Sequence, residues 1–297
     1  VLLASGTLAP LRGLTAELAA SSAYAARAQP EGPLEAPHVV SPAQALVAVV
    51  TRLPCGGEPF VTTFECWRSP AFLLSLGDAI ARLAEAIPGG VLCFFPSFAA
   101  LEACASAWQR PEHAPAQVWA RMRGAKGLVL VEPRGSDALP EACASYRAAA
   151  HSRAGALCLA VYRGRMSEGL SFNDDSCRGV ICLGVPYPQA VNPAVAAKRR
   201  WNDAQRASRP SGAGLSGHEW YELQAYRAVN QALGRCLRHR SDYGVLVLLD
   251  ARWAAQGRQA RGLRRHLARW MGPFVEEWPS SAELACCHAG GAGPQGD

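Results

Sequence analysis

Short apolar runs recur along the chain, most of them bounded by Gly or Pro, with stretches of helical spacing between them. "GVLCFFP" (90–96), "GLVLVEP" (127–133), "ALCLAVY" (156–162), "GVICLGVP" (179–186) and "GVLVLLD" (244–250) are continuous rather than alternating. Parallel strands covered on both faces read this way, so each run predicts a buried strand. "ALVAVV" (45–50) predicts another. Residues 73–86 repeat Leu, Ile and Ala at helical spacing, 98–108 follow the first of the five runs, and 219–239 predict the longest helix. Strand and helix in repeated alternation predict an α/β domain, a mostly parallel sheet flanked by helices. Such sheets bind ligands in loops beyond the carboxyl ends of their strands, so a site is expected there.

Pro30, Pro33, Pro37 and Pro42 crowd together with Gly32, a composition that suits a connector and puts a domain boundary near Pro37. Residues 38–279 then form the main domain, and the Gly/Ala-rich stretch 280–297 is expected to be disordered. The chain opens at Val1 on an apolar run rather than at Met, which reads as a fragment or a start that has been removed.

Composition adds little until it is read by position. A hydrophobic share of 49%, a charged share of 18% and a net charge of +6 describe a globular protein with a mild bias toward polyanions. Between Lys198 and Arg269, however, fifteen Lys or Arg face five Asp or Glu. A basic C-terminal third suits nucleic acid or nucleotide phosphates, and equally a solvated basic face. Of the eleven cysteines, Cys93, Cys158, Cys182 and Cys236 lie inside apolar runs and read as small core hydrophobes. There is no CxxC pair of zinc-like spacing, and Cys286, Cys287 and His288 in the tail are a weak metal candidate. No signal peptide is visible, which reads as a reduced, intracellular setting. No apolar run reaches the roughly 18 residues that cross a bilayer.

The densest chemistry is "QAYRAVNQALGRCLRHRSDYG" (224–244). On a continuous helix Gln231, Arg235 and Arg238 fall at i, i+4 and i+7 and share one face. An amide and two guanidiniums on one stripe suit phosphate oxygens, and Gly234 would let a partner approach the backbone. The other reading is a basic surface helix. "VYRGRMSEGLSFNDDSCRG" (161–179) follows a strand with Gly164 and Gly169 as turn formers and Ser167 as a cap, and so offers backbone amides to an anion. In "FFPSF" (94–98), Ser97 either caps the next helix or meets a nucleic-acid phosphate. "LLASGTL" (2–8) places Ser5, Gly6 and Thr7 at a strand end, equally a plain turn.

At these four places the sequence resembles the iron–sulfur DNA helicases, the group that includes XPD, the Fanconi anaemia group J helicase and the regulator of telomere elongation helicase. "ASGTLAP" is similar to their motif III, "FFPSF" to motif IV, "GRMSEGLSF" to motif V and "QALGRCLRHRSDYG" to motif VI, in order and spacing. "VEPRGS", "GVPYP" and "LSGHEWYELQAYRAVNQA" extend the likeness from Val1 to about Trp278. "LSGHEWY" and "RHRSDYG" are most similar to the telomere-elongation branch, with the group J branch next.

The resemblance implies the second, RecA-like motor domain of an enzyme that unwinds DNA 5′-to-3′ with ATP, in DNA repair or telomere maintenance in the nucleus. Residues 1–37 would then close the first motor domain. By motif match, Gln231, Arg235 and Arg238 would reach the γ-phosphate of ATP held by that first domain, with Gly164, Glu168, Gly169 and Gly234 lining the cleft. Thr7 and Ser97 would lie near the DNA strand, and Lys198, Arg199 and Arg200 could touch its phosphates. Two departures matter. Ser171 stands where the family's motif V has Asp, and a hydroxyl cannot make a carboxylate's charged contact to Arg. The sequence also holds no GxxxxGK[ST] phosphate loop, no acidic Mg²⁺ box and no four-cysteine set. The resemblance therefore implies ATP and Mg²⁺ shared with the first motor domain, an iron–sulfur cluster only in that other half, and no hydrolysis by this chain alone. The alternative is a helicase-derived module that binds DNA or protein without catalysis.

Overall fold

The computed structural model describes residues 9–18, 35–54, 57–110, 117–166, 174–209, 214–258 and 260–289, without the side chains of 18 and 286–289. Ser5, Gly6, Thr7, Ser167, Glu168, Gly169 and Ser171, and the side chains of Cys286, Cys287 and His288, lie outside the described residues.

The predicted runs are strands: β1 (Ala45–Arg52), β2 (Gly90–Phe95), β3 (Leu128–Val131), β4 (Ala156–Val161), β5 (Gly179–Leu183) and β6 (Gly244–Leu249), joined by β7 (Val275–Ser280). They form one sheet in the order β3-β4-β2-β5-β6-β1-β7. Every pair is parallel, with Leu92 level with Cys158 and Val180, and Val47 level with Leu246. The helices are α1 (Leu11–Leu18), α2 (Pro70–Ala86), α3 (Phe98–Gln109), α4 (Val118–Ala125), α5 (Leu139–Ala150), α6 (Pro193–Ala207), α7 (Gly217–Leu233) and α8 (Ser281–Ala289). The expected α/β class, a mostly parallel sheet with helices on both faces, is what the chain adopts.

Because successive side chains leave a strand on opposite faces, each apolar run feeds two cores. Leu92, Phe94, Cys158, Val180, Cys182 and Leu246 pack under α5 and α7. Val91, Cys93, Phe95, Leu157, Ile181 and Val247 pack under α2, α3, α4 and α8. Of the eight described cysteines, all unpaired, seven are buried and only Cys66 is partly exposed.

Two expectations are corrected. The long helix stops at Leu233, six residues short of the predicted end, and residues 234–243 form a turn and loop. The stretch 280–297, expected to be disordered, begins with the last residue of β7 and then α8, whose Leu284 is buried against α2's side of the sheet. Its apolar residue packs on a surface that composition does not reveal. β7 escaped the pattern because it carries Glu276, Glu277 and Pro279; at the edge of a sheet, exposed charges and Pro cost no ladder bonds.

The segment after β6 folds back over α7. Asn230, fully buried, donates to the carbonyls of Tyr226 and His266 and accepts from Ala268 N. The His266 ring stacks on Tyr226 with centroids 4.2 Å apart. Burial first, then Arg265 and Arg12, push His266 down to about 4. An unfolded His near 6.5 binds its proton more readily than this folded one, so stability falls as pH drops from 6.5 toward 4. Allowing for half exposure, the loss is about 1–2 kcal/mol. Denaturation midpoints of wild type and His266→Phe across that window check it, the variant being expected to show the shallower slope.

Candidate functional site

α7 starts with a capping box: the Ser216 hydroxyl accepts from Glu219 N, and the Glu219 carboxylate accepts from Ser216 N. It closes the connection from β5 to β6 after α6 and leads through residues 234–243 into β6. Its C-terminal end therefore arrives at the amino edge of the sheet, where β6 begins at Gly244. Gly234 caps the helix at φ −67°, a value open to any residue, so its backbone conformation does not require glycine.

The loop that follows is pinned from below. Cys236 and Leu237 are buried, and the Cys236 thiol donates to Cys177 O at 3.1 Å. Asp242 has no exposed surface; its Oδ2 accepts the amides of Arg238 (2.8 Å) and His239 (3.3 Å). Its Oδ1 accepts from Arg178 Nη1 at 3.1 Å. Arg178, just ahead of β5, also pairs with Asp175 and lies over the Tyr243 ring at 4.1 Å. Gln44, just ahead of β1, donates to Arg240 O and Asp242 O. Three strand entries thus hold one loop.

On this frame Gln231 and Arg235 are half-buried and Arg238 is exposed. The three belong to the same edge of the sheet, but not to one helical stripe, because the helix ends between the first and the second. Nor do they lie beyond the carboxyl ends of the strands, where a ligand was expected. A helix-to-strand loop lands at the amino edge whatever the general rule for strand-to-helix loops.

Gly164 is not with them. It follows β4 at the carboxyl edge, where Glu132 is buried and accepts from Val161 N (2.8 Å) and Met166 N (3.0 Å). A Cβ at position 164 would stand 2.6 Å from both Glu132 carboxylate oxygens, so glycine is required by packing. Gly164→Ala is expected to lower stability by about 1–3 kcal/mol in chemical denaturation, and by less in a Glu132→Ala background. β6 separates this edge from the arginine loop by roughly 20 Å, the span of a six-residue strand. Ser97 also sits at the carboxyl edge, where its hydroxyl accepts from Ala100 N at 3.2 Å and caps α3.

Lys198, Arg199 and Arg200 lie on α6, which meets the first turn of α7 through Asp203 and Gly217 N, far from the arginine loop at its other end. The Lys198 ammonium lies 4.1 Å from the Trp201 ring centroid, and the Arg199 guanidinium lies over Tyr221, which stacks on Tyr187. Arg200 is exposed. Sequence reading missed Asp242, Arg178, His239 and Glu132; a lone Asp set just ahead of the apolar run "GVLVLL" was the available signal for the first.

Arg235 and Arg238 with the Gln231 amide make a cationic, donor-rich edge that suits phosphate oxygens. The nearby carboxylates of Asp242 and Asp174 are engaged by Arg178 and His239. Among the described residues, the seven buried cysteines are spread through both core layers and form no cluster-binding set.

Residues 80–274 match the family described as "Helicase C-terminal domain". Over 285 aligned residues the chain is 39% identical to the "Regulator of telomere elongation helicase 1 homolog" of Drosophila grimshawi and 38% identical to that of Drosophila melanogaster. Each alignment covers 93% of this chain and 27% of the relative, so the chain spans about a quarter of the length of the curated relatives it matches. Among solved structures, "XPD_Helicase" superposes with a TM-score of 0.51 at 17% identity, covering 79% of this chain and 35% of the other. "XPD_APO" superposes with a TM-score of 0.50 at 16% identity, covering 79% and 40%, a likeness of fold. Motif order, sheet and sequence agree: the chain belongs to the helicase C-terminal domain family.

Proposed function

We propose that the chain is the second motor domain of an ATP-dependent DNA helicase of 5′-to-3′ polarity, acting in DNA repair or telomere maintenance in the nucleus. The arginine loop faces the γ-phosphate of an ATP held, with its Mg²⁺, by the first motor domain. Arg235 and Arg238 stabilise the charge that spreads over the transferred phosphoryl group, and Gln231 orients groups around it. ATP supplies the phosphoryl group and Mg²⁺ neutralises its oxygens; this chain contributes the cations that close the site.

The observation that carries this reading is the build of the loop: an exposed arginine on a backbone pinned by a buried carboxylate at the rim of a rigid sheet. A flexible surface arginine would need no such anchor. The DNA track is assigned to Ser97, to Thr7 and to Lys198, Arg199 and Arg200 on α6. The basic balance of the C-terminal third supports a polyanion there.

The test is DNA-stimulated ATP hydrolysis and strand separation by the full-length protein on substrates carrying 5′ or 3′ single-stranded tails. Hydrolysis with unwinding from the 5′ tail is expected. Binding of single-stranded DNA with no hydrolysis by the full-length protein would overturn the motor reading and leave a binding module.

A further inference from the structure

The contacts around Arg238 extend beyond Asp242. The His239 Nε2 lies 2.8 Å from Asp174 Oδ1 and 3.4 Å from Asp242 Oδ1. Its Nδ1 accepts from Ser241 N at 3.3 Å, which leaves the proton on Nε2 to be donated to Asp174. The neutral ring thus completes both bonds. Asp174 stands at φ +51° at the head of the short turn that leads through Asp175 and Arg178 into β5. Its side chain and that of Arg178 therefore reach the arginine loop from the same segment, one through His239 and one through Asp242.

We infer that His239 and Asp242 are positioning residues for Arg238, clamping its loop to the segment that enters β5. Two consecutive amides bound to one carboxylate restrict the backbone at 238 and 239, and with it the direction in which the Arg238 side chain leaves the chain. Asp242 refers that direction to β5 through Arg178; His239 refers it to Asp174. An arginine that must meet a phosphate across a domain interface gains from this, because small misplacements of a catalytic group are costly in rate. The inference rests on the reading of Arg238 as a phosphate-facing group.

Asp242→Ala would strand the Arg178 cation and endanger folding, so the test uses the exposed half of the clamp. In the full-length protein His239→Ala is expected to lower kcat for ATP hydrolysis about 10- to 100-fold with KM for ATP little changed. His239→Gln, which keeps an N–H toward Asp174, should recover most of the loss. Asp174→Gly, which removes the acceptor and suits the positive φ, should match His239→Ala, and the double variant should be no worse than either.

Amide hydrogen exchange of residues 238–241 separates this inference from the reading beneath it. Exchange about tenfold faster in His239→Ala supports the clamp. Unchanged exchange overturns it, whatever the ATPase result. Faster exchange with an undiminished kcat overturns the positioning role, and faster exchange in a protein whose wild type hydrolyses no ATP keeps the clamp but discards the nucleotide reading.

Discussion

Arg238→Ala in the full-length protein is expected to slow ATP turnover on the order of 10³–10⁵-fold, the range for a lost phosphate-facing arginine. The fold should not notice. The Arg238 side chain is exposed, and what Asp242 holds is the backbone amide, which alanine retains. Lysine in its place keeps the charge but not the planar fork of donors, so little recovery is expected. Arg235→Ala should act in the same direction with some cost in stability, since Arg235 is half-buried and already engaged within the protein. Single-turnover hydrolysis with the melting curve measured alongside decides it. Normal turnover in Arg238→Ala would remove the arginine loop from the nucleotide site.

The largest expected effect on stability lies at the opposite edge of the sheet. Asp250, at the end of β6, has no exposed surface and accepts the amides of Thr62 and Arg252 and the Thr62 hydroxyl. It also takes the Arg252 guanidinium at 2.8 Å through both Nε and Nη2. Asp250→Ala leaves Arg252 largely buried with its charge uncompensated, and breaking such a pair from one side costs about 3–5 kcal/mol. Asp250→Asn keeps the shape and some acceptor capacity and should cost roughly half as much. Chemical denaturation of the three proteins checks the order; a loss under about 1 kcal/mol for alanine would mean that solvent screens the pair.

These two sites differ in how far the sequence revealed them. Arg235 and Arg238 stood out at once, because their spacing after Gln231 is part of a motif that can be matched without a structure. Asp250 closed a predicted strand with Arg252 two residues on, but gave no sign of Thr62, its partner 188 residues away. The helical stripe was over-read for a related reason. The 3.6-residue spacing continues past Leu233 in the sequence and outweighed the stop signal that Gly234 carries. Asp242 competes for the backbone amides of Arg238 and His239 and holds them in a loop. That competition depends on Arg178 and Asp174, 64 and 65 residues away from their partners in the loop.

By itself, then, the amino-acid order determined the parallel α/β class, the two-faced burial of the strands, the cysteines as core residues and the family. All of these follow from local runs and motif spacing. Only the tertiary structure decided which edge of the sheet presents the arginines and that Gly164 serves packing against Glu132. It also supplied the carboxylate, imidazole and second arginine that hold Arg238. Those outcomes hinge on which distant segments the fold brings side by side: Glu132 with Gly164, and Arg178 and Asp174 with the arginine loop, lie too far apart in sequence for one window to hold both.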